Sequence, residues 1–196
     1  MGYERRLLRV NLSRRTTAIE TIPPGLCELF VGGRGLGAAM LYAAQPAHVD
    51  PLGEENRIIF LAGPLAGTAA QSASRWMVCT KSPLTGGYAR SVGGADFAAW
   101  LRFAGYDSVI VEGKSEEPAY IHLTPQGCEI LDAEDLWGKD TVKTQEMLTE
   151  THGGKTRVAC IGPGGERLVR YAAIVSGRRT ASRCGVGAVM GSKNLK

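Results

Sequence analysis

Apolar and polar positions change period several times along this chain, and each change marks an element. Leu7 to Leu12 and Thr16 to Ile22 read as two strands around the polar turn Ser13-Arg14-Arg15. Pro23-Pro24 opens a short helix through Leu26 to Phe30, and Leu36 to Ala44 reads as a second helix beyond a glycine cluster. Arg57 to Leu61 is an apolar strand that runs into Gly63-Pro64, and Arg75 to Thr80 is another. Gly86 to Gly94 reads as a loop, and Phe97 to Phe103 is apolar at helical spacing up to Gly105. Ser108 to Val111, Ala119 to Leu123 and Cys128 to Leu131 follow as strands. Thr141 to Thr149 is an amphipathic helix ended by Gly153-Gly154. Arg157 to Ile161 and Leu168 to Val175 read as strands, Gly177 to Cys184 as a basic loop, and Gly185 to Leu195 as a last helix.

Many short strands with few helices point to an α+β fold, not to an alternating parallel sheet. Gly33-Arg34-Gly35-Leu36-Gly37-Ala38 comes close to a dinucleotide fingerprint, but that motif needs a preceding strand and Pro24 to Phe30 reads as helix. A second pattern is more informative. A strand into Gly63-Pro64, a strand, a glycine-bearing loop and a helix are followed later by a strand into Gly162-Pro163, a strand, a basic loop and a helix. This repeat of element order suggests an internal duplication that brings two loops to one ligand.

Composition narrows the chemistry. Of 196 residues, 44% are hydrophobic and 21% charged, which supports a packed core and excludes a disordered chain. The 26 glycines fall in clusters, where backbone can approach a ligand closely. No apolar run reaches the ~18 residues of a membrane span, and Met1-Gly2-Tyr3-Glu4-Arg5-Arg6 leads to no apolar signal segment. Five cysteines at irregular spacing (Cys27, Cys79, Cys128, Cys160, Cys184) make a poor disulfide framework and fit a reduced, cytoplasmic chain. Cys79 and Cys160 lie in apolar runs as small buried hydrophobes, and neither a zinc nor an iron–sulfur site is expected from this chain alone. The net charge of +4 is uneven: Lys155 to Lys196 holds nine Lys or Arg against one acid, Glu166. A basic stretch near glycine turns suits an anionic ligand such as phosphate, or else is a solvated face. Nucleic acid is disfavoured, because Tyr171 is the one aromatic in that stretch.

Several motifs in order carry a specific resemblance. They are Arg34-Gly35-Leu36-Gly37, Ala62-Gly63-Pro64-Leu65, Lys81-Ser82-Pro83-Leu84-Thr85-Gly86, Phe103-Ala104-Gly105-Tyr106-Asp107, Val111-Glu112-Gly113-Lys114, Leu136-Trp137-Gly138-Lys139, Ile161-Gly162-Pro163 and the run Gly185 to Lys196. Over essentially the whole chain this string resembles the N-terminal domain of the tungsten-containing aldehyde ferredoxin oxidoreductase family. The resemblance implies an α+β domain of two β-sheets related by a pseudo-twofold axis, with a few short helices. It implies a single cofactor-binding domain, residues 1–196, on which a bis-pterin tungsten (or molybdenum) cofactor lies, its phosphates bridged by magnesium. In such enzymes the metal performs the redox chemistry, and the protein binds and orients it.

The resemblance also assigns residues. Arg75 in Ser74-Arg75-Trp76 matches the arginine between pterin and iron–sulfur cluster, a role suited to a group that donates several hydrogen bonds and stays charged. The first pterin loop matches Ser91-Val92-Gly93-Gly94, with Gly93 and Gly94 against the cofactor and Val92 lending its backbone carbonyl to magnesium. The family commonly has asparagine at Val92, so only a backbone contact carries over. The second loop matches Arg179-Thr180-Ala181-Ser182-Arg183. There Arg179, Ala181, Ser182 and Arg183 line the cofactor and Thr180 offers its carbonyl to magnesium. Thr180 and Ser182 replace smaller residues of the family pattern, and Cys184 stands where glycine is usual.

The family's 4Fe-4S cluster is held by cysteines of later domains, and neither those nor the substrate domain is in this sequence. An end at Asn194-Leu195-Lys196 reads as an excised domain or as one piece of a split enzyme, and the isolated chain is expected to lack aldehyde oxidation. The implied partners are ferredoxin or another electron-transfer protein and an aldehyde, with no nucleic acid and no membrane; a homodimer is left open. The competing reading is a non-catalytic pterin- or phosphate-binding module.

Overall fold

A computed structural model describes residues 4–196, so the polar start at Met1-Gly2-Tyr3 lies outside the described residues. Strands β1 (Arg6–Asn11) and β2 (Thr16–Thr21) form the expected hairpin. Helices α1 (Pro24–Phe30) and α2 (Gly33–Ala44) follow, α1 opened by its proline. The near-fingerprint glycines thus fall inside α2 behind a helix, where no dinucleotide turn forms. Then come β3 (Ile58–Ala62), β4 (Trp76–Lys81), β5 (Tyr88–Gly93), α3 (Phe97–Phe103) and β6 (Ser108–Glu112).

These strands make one six-stranded sheet in the order β2-β1-β6-β3-β4-β5, antiparallel except where β1 runs parallel to β6. Central β3 is buried along its whole length. Its Ile59 and Leu61 face α1 and α2 together with Cys79, Ile110, Leu36 and Met40. Ile58, Phe60 and Ala62 face the main core with Val78, Trp76, Val111 and Leu101. The period-2 alternation of a strand buried on both faces explains why its sequence reads as one continuous apolar run.

The second half supplies β7 (Ala119–Thr124), β8 (Gly127–Asp132), α4 (Thr141–His152), α5 (Pro163–Glu166), β9 (Ile174–Ser176), β10 (Arg179–Ala181) and α6 (Val186–Ser192). Asp140 caps α4 by accepting the Lys143 N–H at 2.8 Å. Single bridges link the two hairpins β7-β8 and β9-β10. Ala119 bridges Leu195 in parallel, the Ile161 N–H donates to the Lys196 carbonyl at 3.2 Å, and Cys160 bridges Val175 antiparallel. The resulting order β8-β7-Leu195-Ile161-β9-β10 repeats the order β2-β1-β6-β3-β4-β5 of the full sheet.

The class is α+β, as expected, but several local readings change. The loop read over Gly86 to Gly94 is largely strand β5, because pairing with β4 gives its alternating Ala89, Ser91 and Gly93 a buried side. The basic loop from Gly177 to Cys184 likewise contains β10. The strand read over Arg157 to Ile161 contributes one bridge, at Cys160. The strand read over Leu168 to Val175 is reduced to its end. Its first part turns tightly, with Leu168 at φ 59°, because α5 and α6 pack backbone to backbone. A Cβ on Gly191 would stand 2.0 Å from the Gly165 carbonyl oxygen, so that approach depends on glycine. The last helix ends at Ser192, short of the expected Leu195, where Asn194 takes φ 53°.

Candidate functional site: two loops joined at a sheet edge

β5 is the outermost strand of the large sheet, and β10 the outer strand of its ribbon. The two lie against each other without a hydrogen-bonded ladder. The loops implied to share one ligand are therefore adjacent, although about ninety positions separate them in sequence. The Arg183 N–H donates to Ser91 Oγ at 2.9 Å, and Ser82 Oγ donates to the Cys184 carbonyl at 2.8 Å. A Cβ on Gly94 would touch the Arg179 side-chain stem at 3.5 Å.

Arg75 immediately precedes β4, and Trp76 pairs with Gly93, so register sets Arg75 beside Gly94. Arg75, Arg179 and Arg183 are all exposed, and none takes part in an ion pair among the described residues. Arg90, on the same face of β5 as Val92, is likewise exposed and without an ion pair. Several other cations are paired. Arg9 and Arg57 meet Glu112, and buried Lys196 meets Glu166. Guanidinium groups gathered at two loops without carboxylates leave a field suited to an anion.

The other assigned residues divide by environment. Ala181 is buried and keeps β10 low against the core, whereas Thr180 and Ser182 are exposed. Val92 is half-buried on an edge strand. Gly93 has a packing reason to be glycine: a Cβ there would fall 2.2 Å from the indole of fully buried Trp76. Cys184 sits at φ 63°, the left-handed region that glycine adopts most freely, which accounts for the glycine of the family pattern there.

The roles of Trp76, Ser82 and Ser91 escaped sequence reading. Trp76 donates from Nε1 to the Gly94 carbonyl at 2.8 Å and so fixes the first loop from beneath. A Trp on the core face of a strand, beside the arginine that the resemblance singles out, was a usable signal. The serines carried none, since their partners are 92 and 102 positions away.

Burial pushes the Cys79 thiol up to about 11 and the Cys160 thiol up to about 12, and no cysteine is in a disulfide. Among the described residues no cluster of three or more His, Cys, Asp or Glu could hold a metal ion. None of the helices among them is long and apolar enough to cross a membrane. An apolar cavity of about 420 Å³ lies between α3 and β7, lined by Phe97, Trp100, Ile121, Leu123 and Leu195. The edge-to-face contact of Phe97 with Trp76 stands between it and the loops. Its arginine, Arg157, already pairs with Asp96 at 2.6 Å.

Residues 7–196 match the family described as aldehyde ferredoxin oxidoreductase, N-terminal domain. The chain is 48% identical over 197 residues to a tungsten-containing aldehyde ferredoxin oxidoreductase of Pyrococcus horikoshii, covering all of this chain and 32% of that relative. It is 35% identical over its whole length to an aliphatic sulfonate oxidoreductase, WOR-like subunit, of Pyrococcus furiosus, of which it covers 34%. Among solved structures, a chain of the active-site complex BamBC of benzoyl coenzyme A reductase, with bound 1,5-dienoyl-CoA, superposes with a TM-score of 0.97 at 41% identity. That match covers all of this chain and 30% of the other. The chain thus spans about a third of the length of the curated relatives it matches. It belongs to the aldehyde ferredoxin oxidoreductase family and corresponds to that family's N-terminal domain.

Proposed function

We propose that this domain holds one face of a tungsten (or molybdenum) bis-pterin cofactor. The enzyme so formed would oxidise aldehydes to carboxylates and pass electrons through a 4Fe-4S cluster to ferredoxin. The observation that carries this reading is the set of exposed, unpaired guanidinium groups of Arg75, Arg179 and Arg183 around two joined loops. Two loops side by side suit a ligand with two phosphate-bearing halves, and the repeated order of strand pairing supports an internal duplication behind them.

The bound metal would supply two-electron redox chemistry that no side chain of this domain offers. The chain's own residues bind and orient. Arg179 and Arg183 neutralise phosphate, and the Arg75 fork donates several hydrogen bonds in fixed directions. Gly94 and Ala181 keep the surface low enough for a flat ligand, and Ser182 adds an exposed hydroxyl. Val92 has no polar side-chain atom, so its contribution to magnesium is its carbonyl, matched by that of Thr180. The cluster ligands and the substrate pocket belong to other parts of such an enzyme. A cytoplasmic location is part of the same reading, supported by five free cysteines.

Arg75→Ala and Arg183→Ala in the holoenzyme test this reading. Tungsten and magnesium per polypeptide, measured by elemental analysis, should fall severalfold, as should aldehyde-dependent dye reduction. Full metal content and rate in both variants would overturn it. The likeness to the benzoyl coenzyme A reductase complex favours a second reading, in which the same domain serves an enzyme acting on another substrate. Dye reduction with a dienoyl-CoA and none with aldehydes would select it.

A further inference from the structure

The two loops belong to different halves of the fold, so something must set the distance between them. The contacts that do so include two buried hydroxyls. Ser91 is 1% exposed on the core side of β5, and its Oγ accepts the Arg183 N–H at 2.9 Å. Ser82 is fully buried at the end of β4; its Oγ donates to the Cys184 carbonyl and accepts the N–H groups of Leu84 and Thr85, each at 3.1 Å. Consecutive residues of the second loop are thereby tied to the β4–β5 hairpin. Immediately beyond, Cys184 and Gly185 take left-handed conformations at φ 63° and 70°, and the chain turns into α6. The Arg183 side chain, exposed and unpaired, leaves the backbone at the point where Ser91 holds it.

We infer that Ser91 is a positioning residue for the anion site: it holds the Arg183 backbone, and so sets where that guanidinium stands relative to the first loop. The inference rests on the cofactor reading above. A cation placed by a rigid backbone loses less freedom on binding than one on a free loop, so the hydroxyl contributes affinity without touching the ligand. Ser82 supports the same loop one residue further on. Its several bonds also shape the turn after β4, so it is the less specific probe.

The test uses magnesium loss from the cofactor-loaded holoenzyme into excess EDTA, followed by elemental analysis. Ser91→Ala should release magnesium roughly three- to tenfold faster, as expected for one lost hydrogen bond. Ser91→Thr, which keeps the hydroxyl, should restore slow release. In an Arg183→Ala background, Ser91→Ala should add nothing, because its effect passes through the side chain already removed. Additive losses, or failure of the threonine variant to restore retention, would overturn the positioning role. So would wild-type retention in Ser91→Ala alongside fast loss in Arg183→Ala, although the cofactor reading would then stand. Wild-type retention in both would overturn the assignment of Arg183 to the cofactor's phosphates, on which the inference rests. If Ser91→Ala does not fold, Ser91→Cys fills the same space with a weak acceptor and takes its place in every comparison.

Discussion

The indole of Trp76 lies directly under Gly93 and reaches past it to hold the Gly94 carbonyl at 2.8 Å from Nε1. One buried side chain therefore decides both the identity of a loop residue and the orientation of the next peptide. Phe60 stacks at 6.5 Å and Phe97 meets the ring edge-on at 5.3 Å, so the indole cannot easily withdraw.

Gly93→Ala should accordingly be costly. Its methyl would overlap a ring confined on several sides, and overpacking of this kind lowers stability by about 1–3 kcal/mol. Chemical denaturation followed by Trp fluorescence would measure the loss. An unchanged midpoint would mean that the indole has room to move.

Arg75→Ala and Arg179→Ala should behave in the opposite way. Both side chains are exposed and make no ion pair, so folding stability should stay within about 0.5 kcal/mol of the parent while metal content falls. Thermal melts of metal-free protein separate the two effects. A large melting shift in the metal-free state would show that these arginines support the fold.

Consecutive left-handed residues provide a contrast at Cys184 and Gly185. A Cβ on Gly185 would stand 2.0 Å from the Arg170 carbonyl oxygen, so Gly185→Ala should prevent normal folding. Cys184 already carries a side chain at the same kind of φ, so Cys184→Ala should fold. Soluble yield and circular dichroism of the pair would check this.

The buried pair of Lys196 and Glu166 links the chain's last residue to α5. The Glu166 carboxylate also accepts the Gly138 N–H at 2.9 Å. Glu166→Gln leaves an uncompensated cation inside and should cost about 3–5 kcal/mol. Denaturant titration would read it, and a loss below about 1 kcal/mol would show that the Lys139 carbonyl suffices for Lys196.

Lys193 is fully buried, with Nζ donating to the carbonyls of Gly113 at 2.9 Å and Glu54 at 3.0 Å. Burial pulls its pKa down to about 8. Between pH 8 and the ordinary lysine value of 10.5, the unfolded chain binds the proton more readily than the folded one, so this group makes stability rise with pH in that window. Buried thiols at Cys79 and Cys160 act in the opposite sense above pH 9, since their folded values are raised. The informative quantity is therefore the difference between the parent and Lys193→Met, which should grow in the parent's favour from about pH 8 to about pH 10. A constant difference would contradict the shift.

Sequence alone determined the features that depend on near neighbours. The β1–β2 hairpin, the proline-opened α1 and the span of α3 all follow from local periodicity and turn residues. The family resemblance, carried by short motifs, marked Arg75 and both loops. Tertiary structure decided the rest, for physical reasons that lie far apart along the chain. The stretch from Gly86 to Gly94 was legible as glycine-bearing but not as strand β5, because only β4 gives it an alternating buried face. Leu168 to Tyr171 look like the start of a strand, yet glycine-mediated packing of α5 on α6 turns them away from one. The join between the loops rests on Ser91 and Arg183, whose hydrogen bond spans 92 positions, and no local pattern encodes a contact made only after both halves have packed.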